Sequence, residues 1–390
     1  MAEADGTFET DILIVGAGPV GMALALMLQQ AGTGLRTHLI DRRPRGAYSS
    51  DPRALALSHG TRQLLEPLGA WNALAGTPIH NIHVSQSGGF GRTVIAREEQ
   101  DVPALGYVMR YRDLAAAIDT RLADDSIIDN AVIEALQIQP DGIGITLTRE
   151  GVSRRICCRL LVHAEGTPAG EGGITTLDYK QHAVLAEVSP SPRHDHRAWE
   201  RFTPDGPLAL LPLGEDYSIV FTVPPDKADT LMAMDDTAFL NALQKQFGTR
   251  VSFTATSARA RFPLALRLRQ KLADTRQVWI GNAAQTLHPV SGQGFNLGIR
   301  DAWELADAIL DTRHGDDPGA CDRLDAYAAG RRLDRAGSAT FTDGIVRVFS
   351  NDLLPLRIAR GMGLLALDLC KPARSFVARR MIWGARGLLG

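Results

Sequence analysis

A short apolar run, Ile12-Leu13-Ile14-Val15, leads directly into Gly16-Ala17-Gly18-Pro19-Val20-Gly21, and the residues from Met22 to Gln30 are rich in Ala, Leu and Met. An unbroken aliphatic run of this length reads as a strand buried on both faces. Strand, GxGxxG and helix in that order form the context in which a dinucleotide is bound. Each glycine has its own physical reason. Gly16 permits the tight turn, Gly18 lets backbone approach a pyrophosphate, and Gly21 lets the helix pack closely on the strand. The unpaired N–H groups at the helix start then face the phosphates. A second strand, Thr37 to Ile40, ends at Asp41, where an acid binds a ribose hydroxyl, and Arg42 and Arg43 follow it. A ligand-free Gly-rich turn is the bland alternative, and the strand, helix and correctly spaced acid weigh against it. The unit alone does not separate NAD from FAD.

A second chemical segment lies far along the chain. Gln277-Val278-Trp279-Ile280 is another apolar strand candidate, and it leads into GNAAQTLHPVSGQGFNLGIRD, residues 281–301. Gly292 and Gly294 bracket Gln293 just before a stretch in which Ala302, Leu305, Ala306 and Ile309 recur at helical spacing. A glycine-flanked loop entering a helix presents backbone N–H groups and the positive end of the helix dipole, a setting suited to negative charge.

This segment resembles the second flavin motif of the class A flavoprotein aromatic hydroxylases, the para-hydroxybenzoate hydroxylase-like group. Within that group the chain is most similar to the hydroxylases of ubiquinone biosynthesis, especially those acting on 2-polyprenyl-6-methoxyphenol. Further matching stretches are DILIVGAGPVGMALALMLQQAG near the start, RALALSHGTRQLLEPLGAW from Arg53, and TDGIVRVFSNDLLPLRIARGMGLLALD from Thr342, so the resemblance spans the chain. It implies FAD as cofactor, held at one end by Gly16, Gly18, Pro19, Gly21, Asp41 and Arg42. At the other end it places Gly281 and Asn282 by the ribityl chain or phosphates, and Pro289, Gly292, Gln293, Gly294, Phe295 and Asn296 by the isoalloxazine. Arg53 corresponds to an arginine that approaches the flavin ring. Either Arg110 or Arg112 corresponds to a residue near the flavin phosphates. The implied reaction takes hydride from NAD(P)H, a transient co-substrate, and transfers one atom of O2 to a hydrophobic aromatic substrate. The flavin carries that chemistry. No acid–base dyad stands out; His288, before Pro289 in a turn, reads as a structural hydrogen-bonding residue more than as a general base.

The chain also departs from the family pattern. Most relatives have Asp where Asn282 stands, and Asn keeps an acceptor while adding a donor. Glu165 replaces the Asp of an Ala-Asp-Gly motif, and the basic residue usual several positions later is missing from TPAGEGG, residues 167–173. The last two changes bear on NAD(P)H use more than on FAD binding, whereas Asn282 is subfamily character. Rival readings are a hydroxylase of small soluble aromatics, a flavin reductase that inserts no oxygen, and a flavin-fold scaffold subunit of a quinone-synthesis assembly.

The elements that must position these residues set the architecture. With 390 residues the chain exceeds one compact core. The expected fold is α/β: a Rossmann-type FAD-binding domain (1–75, 102–176 and 269–320), an inserted mostly antiparallel substrate sheet (76–101 and 177–268), and C-terminal helices (321–390). Ala183 to Val188, Leu208 to Leu213 and Ser218 to Val223 alternate like strands, and Asp236 to Phe247 reads as a helix. A net charge of −2 gives no basic field for nucleic acid. Four cysteines without CxxC spacing form no disulfide framework or metal site. The acidic start (MAEADGTFETD) and the lack of a membrane-spanning run predict a cytoplasmic location. After Asn351, apolar residues are interspersed with Arg, which suits a helix at a membrane interface, peripheral on the inner face. A cap packed on the flavin domain or on another subunit is the alternative, and a homo-oligomer or quinone-biosynthesis complex remains open.

Overall fold

A computed structural model describes residues 10–71, 76–166, 172–349 and 354–384. Four strands run parallel at the centre, in the order Gln277–Trp279, Leu160–His163, Ile12–Val15, Thr37–Ile40, with Ile127–Ile128 parallel at one edge and Ala273–Asp274 antiparallel at the other. Successive strand side chains point to opposite faces, so Ile12 and Ile14 meet one layer and Leu13 the other. All three are fully buried, each worth roughly 1.5–3 kcal/mol relative to exposure.

Ile12 and Ile14 pack against helices α1 (Pro19–Gln30), α3 (Tyr111–Asp119) and α6 (Gly294–Leu310), with α2 (His59–Leu65) beside them. Leu13 and Leu161 pack on a three-stranded antiparallel sheet, Ala131–Ile138, Ile143–Arg149 and Val152–Cys158. Nothing in the sequence marks strands there. Val132, Leu136, Ile138 and Val152 are exposed aliphatics on its outer side, so the polar-out alternation that marks a half-buried strand is absent.

The second layer is a large, mostly antiparallel sheet. Its backbone is one long strand, Ile174–Ser191, flanked by Ala260–Arg269 and Asp216–Val223, and continued through Gly206–Leu213 and Arg197–Thr203 to Asn81–Gln86 and Arg92–Ala96. Only the Arg197–Thr203 pairing with Asn81–Gln86 is parallel among these described strands. Helices α4 (Pro225–Ala233) and α5 (Asp236–Phe247) cover one face, α4 through Ala228 and Leu231 and α5 through Phe239, Leu243 and Phe247. The α5 span is the expected one, whereas α4 was not anticipated. The α/β fold with an inserted antiparallel sheet and C-terminal helices is therefore the one observed. Those helices are α7 (Cys321–Phe349), α8 (Leu354–Leu369) and α9 (Lys371–Trp383). Among the described residues, no helix is long and apolar enough to cross a membrane.

Candidate active site

The two glycine segments meet on one side chain. Val20, inside the first glycine turn, sits against Gly281 and Gly298: a Cβ on Gly281 would lie 3.2 Å from its Cγ1, and one on Gly298 would lie 3.0 Å from its Cγ2. Residues some 260 positions apart in sequence thus form one continuous wall, as α1 packs against α6.

At the first turn, Gly16 has φ +106, and a Cβ there would lie 2.5 Å from the Ala164 carbonyl oxygen. Its conformation and its lack of side chain are both required, because the Ala164-Glu165 backbone crosses over it. Gly21 touches the Gly16 carbonyl, with only 2.2 Å left for a Cβ. Gly18 differs. An added methyl would meet only the Tyr111 hydroxyl, at 3.4 Å. Gly18 is the N-cap of α1 and has no side-chain cap, so the amides of the first turn face open space. Asp41 closes this end, accepting from the Ala17 N–H at 3.0 Å and from Arg43 Nε at 3.2 Å. Burial pushes its carboxyl upward, but the hydrogen bonds and charge of Arg43 outweigh this and hold it below the ordinary value. Arg42 is exposed.

Arg53 pairs with Asp51, Nη2 to Oδ2 at 2.6 Å, and lies over the Tyr111 ring at 4.6 Å. Arg110 makes a two-point pair with Glu187 of the large sheet, at 2.9 and 2.6 Å. Arg112 is half exposed, beside Asp113. The side chain nearest Gly18 is therefore Tyr111, between the two arginines that the sequence offered as alternatives. Its ring type signalled nothing in the sequence; only the fold brings it there.

The strand Ala54–Ser58 runs from Arg53 towards the second glycine loop, about 17 Å at the usual rise. At its far end the Ser58 N–H donates to Asn296 Oδ1 at 2.8 Å, and Asn296 Nδ2 donates to the carbonyls of Ala56 (2.9 Å) and Gly292 (2.6 Å). Asn296 is buried and spends its amide on backbone, fixing the loop against the strand. Gly292 has φ +59, and a Cβ on Gly294, the first residue of α6, would meet nothing within 4 Å. Gln293 donates to the Met381 carbonyl of α9 at 3.0 Å, and α6 has no side-chain cap. Phe295 packs at the edge of the flavin-domain core. Two uncapped helix starts with open glycines, joined by an extended strand, form a cradle that fits an elongated, doubly anionic cofactor such as FAD.

Gly281 is held from behind. Its N–H donates to Asp301 Oδ2 at 3.0 Å, and Asp301 Oδ1 accepts from Arg331 Nε at 2.8 Å. Arg331 also meets Asp334 (3.1 Å), which pairs with Arg300 (2.7 Å), all four side chains being at most 5% exposed. Burial pushes Asp301 upward, opposed mainly by Arg331. Asn282 itself is exposed. This network was missed from sequence, although the isolated acid and arginine at the buried face of α6 were its only signal.

His288 is fully buried. Its Nδ1 accepts from the Val290 N–H at 3.1 Å, capping the turn that begins at Pro289. Burial drives its pKa down to about 4. With Nδ1 accepting that N–H, the ring serves as the structural cap of this turn. Glu165 Oε1 lies 3.2 Å from His163 Nδ1, and His163 stacks on Trp279 at 4.8 Å. Residues 167–171, where the usual basic residue is missing, lie outside the described residues.

Beside the second loop is an apolar cavity. Gly292, Gln293 and Asn296 form its floor, Ile79, Ile82 and Ile95 one wall, and Ala378, Met381 and Ile382 of α9 the other. None of its lining side chains is titratable.

A cradle that fits FAD, opening onto an apolar cleft, suits an FAD-dependent monooxygenase. The chain belongs to the family described as FAD binding domain, whose model matches residues 9–340, and FAD is its cofactor. It is 34% identical over 385 residues to the ubiquinone hydroxylase UbiL of Rhodospirillum rubrum, covering 95% of this chain and 88% of that protein. It is 28% identical over 386 residues to the 3-demethoxyubiquinol 3-hydroxylase of Escherichia coli, covering 92% and 95%. In fold it is similar to p-nitrophenol 4-monooxygenase PnpA of Pseudomonas putida, with a TM-score of 0.77 at 17% identity, covering 97% and 99%.

Proposed function

We propose that this chain uses NAD(P)H and O2 to hydroxylate the ring of a polyprenylated phenol in ubiquinone biosynthesis, with 2-polyprenyl-6-methoxyphenol as substrate. The observation that carries the reading is the apolar cavity beside Gly292–Asn296, whose aliphatic walls suit a ring bearing a hydrocarbon tail. The relatives named as ubiquinone hydroxylases support the same pathway.

When bound, FAD would supply the hydride acceptor and the O2-activating group for transfer to an electron-rich ring. The chain's residues do the rest. The amides of Gly292 to Gly294, at the positive end of α6, favour negative charge on the reduced cofactor. Asn296 fixes the loop that carries them, and Asp301 holds Gly281 in place. Ile79, Ile95 and Ile382 give the cleft an apolar lining unfavourable to water, which matters because water or proton access would release hydrogen peroxide instead of product. The same hydrophobic substrate makes contact between the C-terminal helices and a membrane surface useful.

The test is deletion in a quinone-producing host, followed by mass spectrometry of the accumulating intermediate. A prenylated methoxyphenol lacking one oxygen is expected. Normal quinone levels would refute the pathway, and a quinol lacking oxygen at another carbon would replace the substrate. Tightly coupled turnover of a tail-less phenol would instead favour a hydroxylase of small aromatics.

A further inference from the structure

Helix α8 is built inside out. Ile358, Met362, Leu365 and Leu369 form one outward face and are 44% to 78% exposed, while Arg360 and Asp368 turn inward on either side of the buried Leu364. Arg360 is buried and donates to the Val348 and Phe349 carbonyls at the end of α7. Asp368 accepts from the Val94 N–H at 3.3 Å. Arg374, at the start of α9, ties the other end down through both oxygens of Glu99, at 2.8 and 2.6 Å. The 87–91 loop braces the middle: Gly91 approaches the Gly361 carbonyl so closely that a Cβ would sit 2.2 Å away. The aliphatic face is thus held outward by a set of polar anchors.

Beside this face lies a cavity of about 540 Å³ whose charged lining is Arg92, Arg201, Arg250 and Arg357. No carboxylate lines it, and among the described residues none of the four pairs with one. Arg201 Nε donates to the Gln246 carbonyl at 2.9 Å, leaving its other donors for the cavity. Nearby His83 is driven down to about 4 by burial and then by Arg250 and Arg92, a sign that the local field is positive. Four guanidinium groups gathered without counter-charge fit the planar two-point recognition of phosphate.

We propose that this surface seats the protein on an anionic phospholipid bilayer, with lipid phosphates entering the arginine cavity and the aliphatic face of α8 entering the acyl boundary. Apolar helix face and cationic flank together are what an interfacial helix needs. A second copy is disfavoured as occupant, because a symmetric contact would bring two uncompensated arginine clusters together. The inference rests on the proposed membrane-borne substrate and names the surface that would reach it.

The experiment floats the full FAD-loaded chain with vesicles of pure phosphatidylcholine or of phosphatidylcholine with one-third phosphatidylglycerol. Selective binding to the anionic vesicles, weakened by salt, is expected. Arg92→Gln with Arg357→Gln should weaken binding about 25-fold, roughly five-fold for each arginine. Met362→Ser with Leu369→Ser, both at exposed positions, should abolish it with the flavin retained. Equal binding to both vesicle types, or none, overturns the proposal. So does saturable binding of inorganic phosphate without flotation, which would make the cavity a site for the free anion. Self-association lost in the Met362→Ser and Leu369→Ser variant, again without flotation, would assign the face to a second copy. Selective flotation by a protein that hydroxylates nothing would uphold the surface and count against the reaction. Turnover of detergent-solubilised substrate without flotation would do the reverse.

Discussion

Gly18→Ala separates what the fold needs from what the cofactor needs. The new methyl would have only the Tyr111 hydroxyl near it, at 3.4 Å, an ordinary contact, and the backbone at Gly18 (φ −83, ψ 170) is open to any residue. Alanine is a poorer N-cap than glycine, by up to about 1 kcal/mol. Its stiffer unfolded chain returns roughly 0.4–1 kcal/mol. The apoprotein should therefore keep its stability within about 0.5 kcal/mol. The methyl, however, fills the space through which backbone reaches the pyrophosphate. Losing one hydrogen bond to a charged group costs about 1.5–3 kcal/mol, so FAD should bind on the order of 10- to 150-fold more weakly. The assay is paired: thermal or urea unfolding of apoprotein, and fluorescence titration with FAD. Gly21→Ala provides the contrast, since its Cβ would collide with the Gly16 carbonyl at 2.2 Å and should damage both quantities. An unchanged FAD affinity in Gly18→Ala would falsify the placement of the pyrophosphate at this turn.

Three further outcomes follow from the geometry. Asp301→Asn leaves Arg331 buried with Asp334 alone and should destabilise the protein by about 3 kcal/mol, measured by urea unfolding; an additional Arg331→Met should recover part of that loss. His288 has its pKa depressed to about 4 from 6.5, so the unfolded chain takes up the proton first and stability falls as pH drops from about 6.5 towards 4. His288→Gln should therefore reduce the loss between pH 7.5 and pH 5 by about 2 kcal/mol, and an identical pH slope in both proteins would refute this. Ile382→Ser opens the cavity wall without touching the glycine loops. It should keep FAD bound while raising the share of NAD(P)H oxidation that ends in hydrogen peroxide, read with a peroxide-coupled assay.

The N-terminal unit was almost fully readable, because its information is local: the Thr37–Ile40 strand has the expected limits, and Gly16 and Gly21 are tight for identifiable steric reasons. Helix α5 was equally plain, with its apolar residues at 3.6-residue spacing. What sequence could not supply were relations across the chain. Arg110 and Arg112 look equivalent in sequence, and the partner of the first, Glu187, stands 77 residues on. Asp301 gave no sign of its partner because Arg331 sits on another helix. The meander covering Leu13 and Leu161 was hidden by aliphatics on its solvent side. In α8 four apolar side chains face out while Arg360 and Asp368 face in, so counting Arg and Leu revealed composition but not direction.

Helix α9 supplies Ala378, Met381 and Ile382 to the cavity and receives Gln293 through the Met381 carbonyl. A chain cut short before residue 371 would retain both glycine turns yet lack that wall. Such a fragment is expected to be harmful rather than inert: still able to draw electrons from reductant, it would hand them to oxygen with no ring in place to receive the activated atom.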